Sequence, residues 1–360
     1  MQVNGRNLMK NWIRKIQRSK PDFIDRSKYL RLDKNERVIP FEKKFIKFLK
    51  KRINTFNLSA YPAIQKIKKL IAKKIKVNED MIFISAGSDI SLKTCFELFT
   101  KKNDKVIILE PTFGMVNVYS DLYGLKVIKI GYDKNLILDY KKLLKNISNQ
   151  ISLIILANPN SPTGTIIPKK TMLKIFNQTK KKNIPIVIDE AYEGFYPNSY
   201  MKYVKKYKNL IITRTFSKSF GLAGLRAGYA VSNHNYASLL NKYRPMYEIN
   251  SLSCLAIEFC LKNYSIVKQH IKQVKLAKKF LIKELRNLNI EFIDTYANFF
   301  HIKLGKKNKI LEKKFKNKGI LFRKGPGVQG LESFARFSLG SKKQMFKLLN
   351  IIKNDVVRKN

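Results

Sequence analysis

Cysteine and histidine are scarce in this 360-residue chain. The three cysteines, Cys95, Cys254 and Cys260, form no pair at metal-ligand or redox spacing. That excludes a cysteine-based metal or redox motif and makes a reducing cytoplasm the default location. The three histidines, His234, His270 and His301, lie far apart, so neither a zinc site nor a Ser-His-Asp arrangement is visible. Each reads as a structural or surface residue, and no metal is expected. No apolar run approaches the length that spans a bilayer, so no membrane partner is expected. The basic opening MQVNGRNLMKNWIRKIQRSK is followed by no apolar segment, so it does not read as a secretory signal. Acidic residues are few as well: 25 Asp and Glu stand against 73 Lys and Arg, for a formal net charge of +48. Such a surplus raises the question of nucleic acid. Yet Lys66, Lys68, Lys69, Lys73 and Lys74 are interspersed with Ile64, Ile67, Leu70 and Ile71 in helical phase. That is the solvated side of an amphipathic helix. No segment interleaves basic and aromatic residues into a base-stacking platform, so no specific nucleic-acid partner is expected. The charge reads as compositional, with the capacity to gather anionic substrates.

What is present fits a globular enzyme. Hydrophobic residues make up 44%, with 11 Pro and 16 Gly, and the length suggests about two domains. Residues 1–31 are polar and basic and read as a loosely attached helix. A helical pattern follows at Phe45, Ile46, Leu49 and Ile53. Helices near 63–76, 88–100 and 169–182 alternate with strands at 81–84, 105–109, 126–130, 152–156, 184–188 and 210–212. This pattern predicts an α/β unit with a mostly parallel sheet and helices on both faces. Beyond about Pro245 the pattern changes to a long helix near 264–288, short strands near 290–293, 298–304, 320–323 and 334–338, and a last helix from about 341. That is a smaller α+β unit.

The most informative segment is TRTFSKSFGLAGLRAGY, residues 213–229. Lys218 stands among the hydroxyls of Thr215, Ser217 and Ser219, and Arg226 follows in a run of Gly, Ala and Leu. The amine can form a Schiff base, and the hydroxyls and guanidinium can hold a phosphate, so the set suits a phosphorylated aldehyde. Upstream, IPIVIDEAY places Asp189 at the carboxyl end of a strand, where ligands bind in open α/β sheets. A carboxylate there can pair with the protonated ring nitrogen of pyridoxal phosphate and keep the ring an electron sink. The turn Ser85-Ala86-Gly87-Ser88-Asp89 joins a strand to a helix. Ser88 can cap that helix, and the free N–H groups form an anion site.

In order, ANPNSPTG (157–164), IDEAY (188–192), TFSKSFGLAGLRAGY and ARFSLGS (335–341) resemble the class I/II aminotransferases, which are fold-type-I pyridoxal-phosphate enzymes. With LDKNE (32–36), SAYPAI (59–64), SAGSD and EPTFGM (110–115), the resemblance is to the histidinol-phosphate aminotransferase branch. It implies a large cofactor-binding domain over 61–245 and a discontinuous small domain from 1–60 and 246–360. It implies that Lys218, Asp189 and Tyr192 are catalytic, Tyr192 bonding the phenolic oxygen of the ring. It implies cofactor contacts from Gly87, Ser88, Asp89, Phe113, Asn160, Thr215, Ser217 and Arg226, with Phe113 stacking on the ring. Ser161 stands where the family usually has an Asn that bonds the phenolic oxygen. Tyr61 matches a tyrosine that reaches the phosphate from a neighbouring subunit, which implies a homodimer. Arg336, Arg323, Asn298 and Asn35 are the implied substrate contacts. The expected activity is transfer of an amino group from an amino acid or amino-acid-like donor, phosphorylated or not, to an oxo acid such as 2-oxoglutarate. The alternative is decarboxylation of a phosphorylated amino acid on the same scaffold.

Overall fold

The computed structural model describes Trp12, Ile13, Ile16 and residues 24–305 and 308–355. Most of the polar N-terminal stretch expected to form a loose helix therefore lies outside the described residues. Strands are numbered along the chain: β1 (Leu30–Arg31), β2 (Ile82–Ser85), β3 (Lys105–Glu110), β4 (Lys126–Gly131), β5 (Ile151–Ala157), β6 (Ile186–Asp189), β7 (Leu210–Thr215), β8 (Gly228–Val231), β9 (Phe292–Ile293), β10 (Phe299–Lys303), β11 (Ile320–Leu321), β12 (Arg323–Lys324) and β13 (Phe334–Ser338).

Seven strands make the main sheet, in the order β2-β8-β7-β6-β5-β3-β4. Every neighbouring pair from β7 to β4 is parallel, and β8 runs antiparallel to both β7 and β2. The inner strands are nearly continuous runs of Ile, Leu and Val because both faces are covered. Alternation along each strand divides them between two cores. Ile107, Leu109, Ile154, Leu156, Ile186 and Ile188 pack with the Ile64–Ile75 and Lys169–Lys181 helices. Val106, Ile108, Leu153, Ile155, Val187 and Ile211 pack with the Ser88–Phe99 and Gly114–Leu122 helices. This is the expected α/β architecture.

The C-terminal part builds a four-stranded antiparallel sheet, β12-β13-β10-β9, with β1 paired in parallel to β11 beside it. Phe299, Phe300 and Phe337 of this sheet pack on Leu281, Leu285 and Leu348 from the Ser265–Asn287 and Lys342–Asp355 helices. Leu32 and Ile39 join the same cluster, so the segment after β1 is anchored here although it is remote in sequence. Phe45, Cys254, Ile257 and Cys260 instead pack into the core of the main sheet.

Candidate active site

The carboxyl ends of the parallel strands open into a cleft of ≈ 770 Å³, bordered on the far side by Arg31, Lys34, Asn35, Glu36, Arg37 and Arg336. Eleven of the expected site residues line it besides Asn35: Ser88, Asp89, Phe113, Ser161, Asp189, Tyr192, Thr215, Ser217, Lys218, Arg226 and Arg336.

Lys218 lies in the loop that follows β7. Its Nζ donates to the backbone oxygens of Lys34 at 3.1 Å and Asn35 at 3.2 Å. Burial, then the positive charges of Arg336 and Arg226, push the amine down from its ordinary 10.5 to about 8, while Glu36 and Asp189 oppose the shift. The amine therefore has a neutral, nucleophilic fraction near neutral pH. Asp189 ends β6 one strand away. The Thr213 hydroxyl of β7, its register partner, donates to Oδ1 at 2.9 Å. Burial raises this carboxyl to about 6, with help from Asp89 and Glu190 and against the bonds from Thr213 and the Ala191 amide. A cation brought beside it restores the ionised form.

The turn after β2 is built for close approach. Gly87 has φ +90°, and a Cβ there would stand 2.8 Å from Arg226 Nη2. Gly87 is the N-cap of the Ser88–Phe99 helix, and no side chain caps it. The expected Ser88 cap is thus corrected. Ser88 already has helical conformation, so its side chain has left the capping position. The helix N-terminus keeps uncapped donors beside Arg226 and the Thr215 and Ser217 hydroxyls, which lie 3.0 Å from each other. Asp89 also lines the cleft, and Tyr119 Oη donates to its Oδ1 at 2.8 Å.

Asn35 ties the far wall together. Its backbone is left-handed, φ 55°, which Asn tolerates better than most residues. Its N–H donates to Ser338 Oγ at 2.8 Å, and its carbonyl accepts from Asn298 Nδ2 at 3.1 Å as well as from Lys218. Its Nδ2 donates to Tyr192 Oη at 2.9 Å. Burial raises the Tyr192 phenol, while Arg336, Ser161 and Asn35 pull it back. Arg336, on β13, donates from Nη2 to the Asp33 carbonyl at 3.3 Å and lies 5.4 Å from the Phe299 ring centroid. Its Nε is buried without a hydrogen-bond partner, as is Asn298 Oδ1.

Five expected residues lie outside the cleft lining: Gly87 and Asn298, described above, and Asn160, Arg323 and Tyr61. Asn160 spends its amide inside its own loop, accepting from Thr112 Oγ1 and donating to Pro111 O and Thr163 Oγ1. Arg323 is exposed on β12, as the register partner of Arg336. Tyr61 is 75% exposed and stacks on Tyr247 with centroids 3.8 Å apart. The carbonyls of Lys34 and Asn35 and the hydroxyl of Tyr119 had no signal in the sequence, because their contacts cross 184, 183 and 30 residues. His270 and His301 are buried on backbone carbonyls at 2.8 and 2.9 Å, which fits their structural reading. No acidic, histidine and cysteine cluster able to hold a metal occurs among the described residues. None of the described helices is long and apolar enough to cross a membrane.

A mostly parallel sheet with a lysine amine after one strand and a buried carboxylate ending the next is the architecture of the fold-type-I transferases. A solved histidinol-phosphate aminotransferase from Sinorhizobium meliloti, in complex with pyridoxal-5'-phosphate, superposes at TM-score 0.86 over 98% of both chains, at 20% identity. This chain belongs to the family "Aminotransferase class I and II", whose model matches residues 27–352. It is 33% identical over 330 residues to the histidinol-phosphate aminotransferase of Clostridium novyi (strain NT), covering 91% of each chain. An L-threonine-O-3-phosphate decarboxylase from Porphyromonas gingivalis shares the fold at TM-score 0.74 and 20% identity, over 90% of this chain and 98% of that one.

Proposed function

We propose that this aminotransferase uses pyridoxal phosphate to move an amino group from a phosphorylated, histidinol-phosphate-type donor to an oxo acid such as 2-oxoglutarate. The observation that carries the reading is the Lys218 amine, lowered to about 8, in the same cleft as the buried Asp189 carboxylate and Arg336 with its unpartnered Nε. The residues fit the cofactor. Gly87 leaves room for Arg226, and the uncapped helix N-terminus stands beside them. When bound, the cofactor supplies an aldehyde for amines and a protonated ring that takes up the electron pair left at the donor Cα.

The chain does the rest. Arg226, Ser88, Thr215 and Ser217, which line the cleft together, would hold the phosphate with charge-assisted and hydroxyl hydrogen bonds. Asp189, ionised beside a cation, would hold the ring N–H. Tyr192, whose hydroxyl accepts from Asn35 Nδ2, would donate to the phenolic oxygen. Phe113, at the cleft edge, would cover the ring. Lys218 Nζ, partly neutral at neutral pH, takes the proton from the donor Cα as general base and returns one as general acid. Arg336, whose side chain lines the cleft, receives the carboxylate of the oxo acid, with Asn298 as a second contact. Arg323, opposite Arg336 on the neighbouring strand, adds a second positive charge for the donor phosphate.

The enzyme acts as a homodimer in the cytoplasm, with Tyr61 reaching the cleft of the second copy; support comes from the exposure of the Tyr61–Tyr247 stack away from its own cleft. The test supplies the purified protein with pyridoxal phosphate and 2-oxoglutarate, with histidinol phosphate as donor in one arm and a phosphorylated amino acid that carries a carboxyl group in another, and follows glutamate and carbon dioxide. Glutamate in step with the keto product is expected. Carbon dioxide without glutamate, or no amino exchange with any phosphorylated or plain amino donor, would sink the proposal.

A further inference from the structure

A second cavity, of ≈ 550 Å³, lies behind the lysine segment. Alternation along β7 and its loop divides one stretch of chain between two sites. Thr215 and Ser217 line the catalytic cleft, whereas Arg214, Phe216 and Phe220 line the second cavity. The same division applies after β6, where Tyr192 borders the cleft and Glu193 the cavity. The cavity has a size that suits a small ligand. Its walls are apolar, from Ile71, Ile75, Val204 and Leu261 with Phe216 and Phe220, whose rings meet edge to face at 4.8 Å.

Its charge is one-sided. Lys74, Lys76, Lys202 and Lys205 surround it, and Lys74 Nζ sits 3.2 Å above the Tyr264 ring centroid. Glu193 is the one carboxylate among the lining residues, and Arg214 Nη1 lies 3.8 Å from it. Arg214 itself is committed, donating Nε at 3.1 Å and Nη2 at 2.8 Å to Glu190 Oε2 and Nη2 to Ser199 Oγ. The lysines at the rim are thus the groups that remain for a ligand, and an apolar body with one negative end complements walls and rim together.

We propose that this cavity binds a small organic anion, a carboxylate or phosphate ester on an aromatic or branched apolar body, and that its occupant acts on the Lys218 segment through Phe216 and Phe220. The test titrates the holoenzyme with anilinonaphthalene sulfonate, a fluorescent aromatic anion, while turnover is measured in parallel. One saturable site per chain is expected, with turnover changing along the same saturation curve. The double variant Lys74→Glu/Lys202→Glu, altered only at exposed side chains, should bind roughly tenfold more weakly and lose the effect on turnover. Undiminished binding in the variant, no saturable binding in the wild type, or turnover unmoved at saturation overturns the proposal. A Val204→Trp variant, which fills the cavity without changing charge, should also abolish binding; probe binding that survives it is equally contrary.

Discussion

Replacing Arg336 with Gln tests the electrostatics of the site at two places at once. After burial, the Arg336 charge is the largest influence lowering Lys218, and its own Nε awaits a partner. With the amine at about 8, about one lysine in ten is neutral at pH 7, against about one in three thousand at the ordinary 10.5. Removing the guanidinium charge must raise the Lys218 value. Burial still holds it below 10.5, so the loss of neutral amine at pH 7 stays under a ceiling of about 300-fold. A change of half a unit already costs about threefold. The Gln side chain also gives up a charge-assisted carboxylate contact of about 1.5–3 kcal/mol, or roughly 10- to 100-fold in oxo-acid KM. The assay measures the rate at which cofactor-free protein captures pyridoxal phosphate as a function of pH, with KM for the oxo acid determined on the holoenzyme. The midpoint of the capture profile should move to higher pH while KM rises. A midpoint that stays fixed or moves down refutes the coupling between Arg336 and Lys218, whatever happens to KM.

Two further perturbations probe other parts of the account. Gly87→Ala places a methyl group against Arg226 Nη2 at a φ of +90°, so the backbone costs about 1–3 kcal/mol and the arginine must shift. Cofactor affinity should fall roughly tenfold by titration, and an unchanged affinity would remove the glycine turn from the phosphate site. In the cofactor-free protein, Lys218→Met deletes a charge that folding disfavours. Because the folded value of about 8 lies below the unfolded 10.5, the wild type gains stability as pH rises from about 8 to about 10.5. The variant's advantage in denaturant unfolding at pH 7 should therefore shrink by up to about 3 kcal/mol by pH 10.5, and a pH-independent gap would contradict the assignment.

The strongly patterned parts of the chain were legible without a structure. The Ile- and Val-rich runs of β3, β5, β6 and β7 specified buried parallel strands, and Asp189 and Lys218 were recognisable because each closes such a run. Direction and weakly periodic elements were not legible. β8, with sequence GYAV, runs antiparallel to its neighbours, and a four-residue apolar run gives no sign of direction. The Ser251–Lys262 helix is apolar on more than one face and packs into the main core, so no amphipathic stripe announced it. The Gly114–Leu122 helix begins at a glycine and contains two valines, residues that weaken helix propensity.

Within the site, residue identity was easier to read than partnership. Ser88 looked like a cap, yet Gly87 took that place. Asp89 lines the cleft, and the Tyr119 hydroxyl that donates to it stands 30 residues away, with no local signal. Asn35 gave no hint that its carbonyl would receive Lys218 while its amide reached Tyr192, because these bonds depend on the small sheet being folded against the large one.

The central claim is that the Lys218 amine is the group that condenses with the cofactor aldehyde. The direct measurement is borohydride reduction of the protein in the presence of pyridoxal phosphate, followed by peptide mass analysis. The account predicts one added pyridoxyl phosphate per chain, on the peptide containing Lys218 and absent from Lys218→Ala. Incorporation spread over other lysines, or equal labelling in the variant, would contradict it.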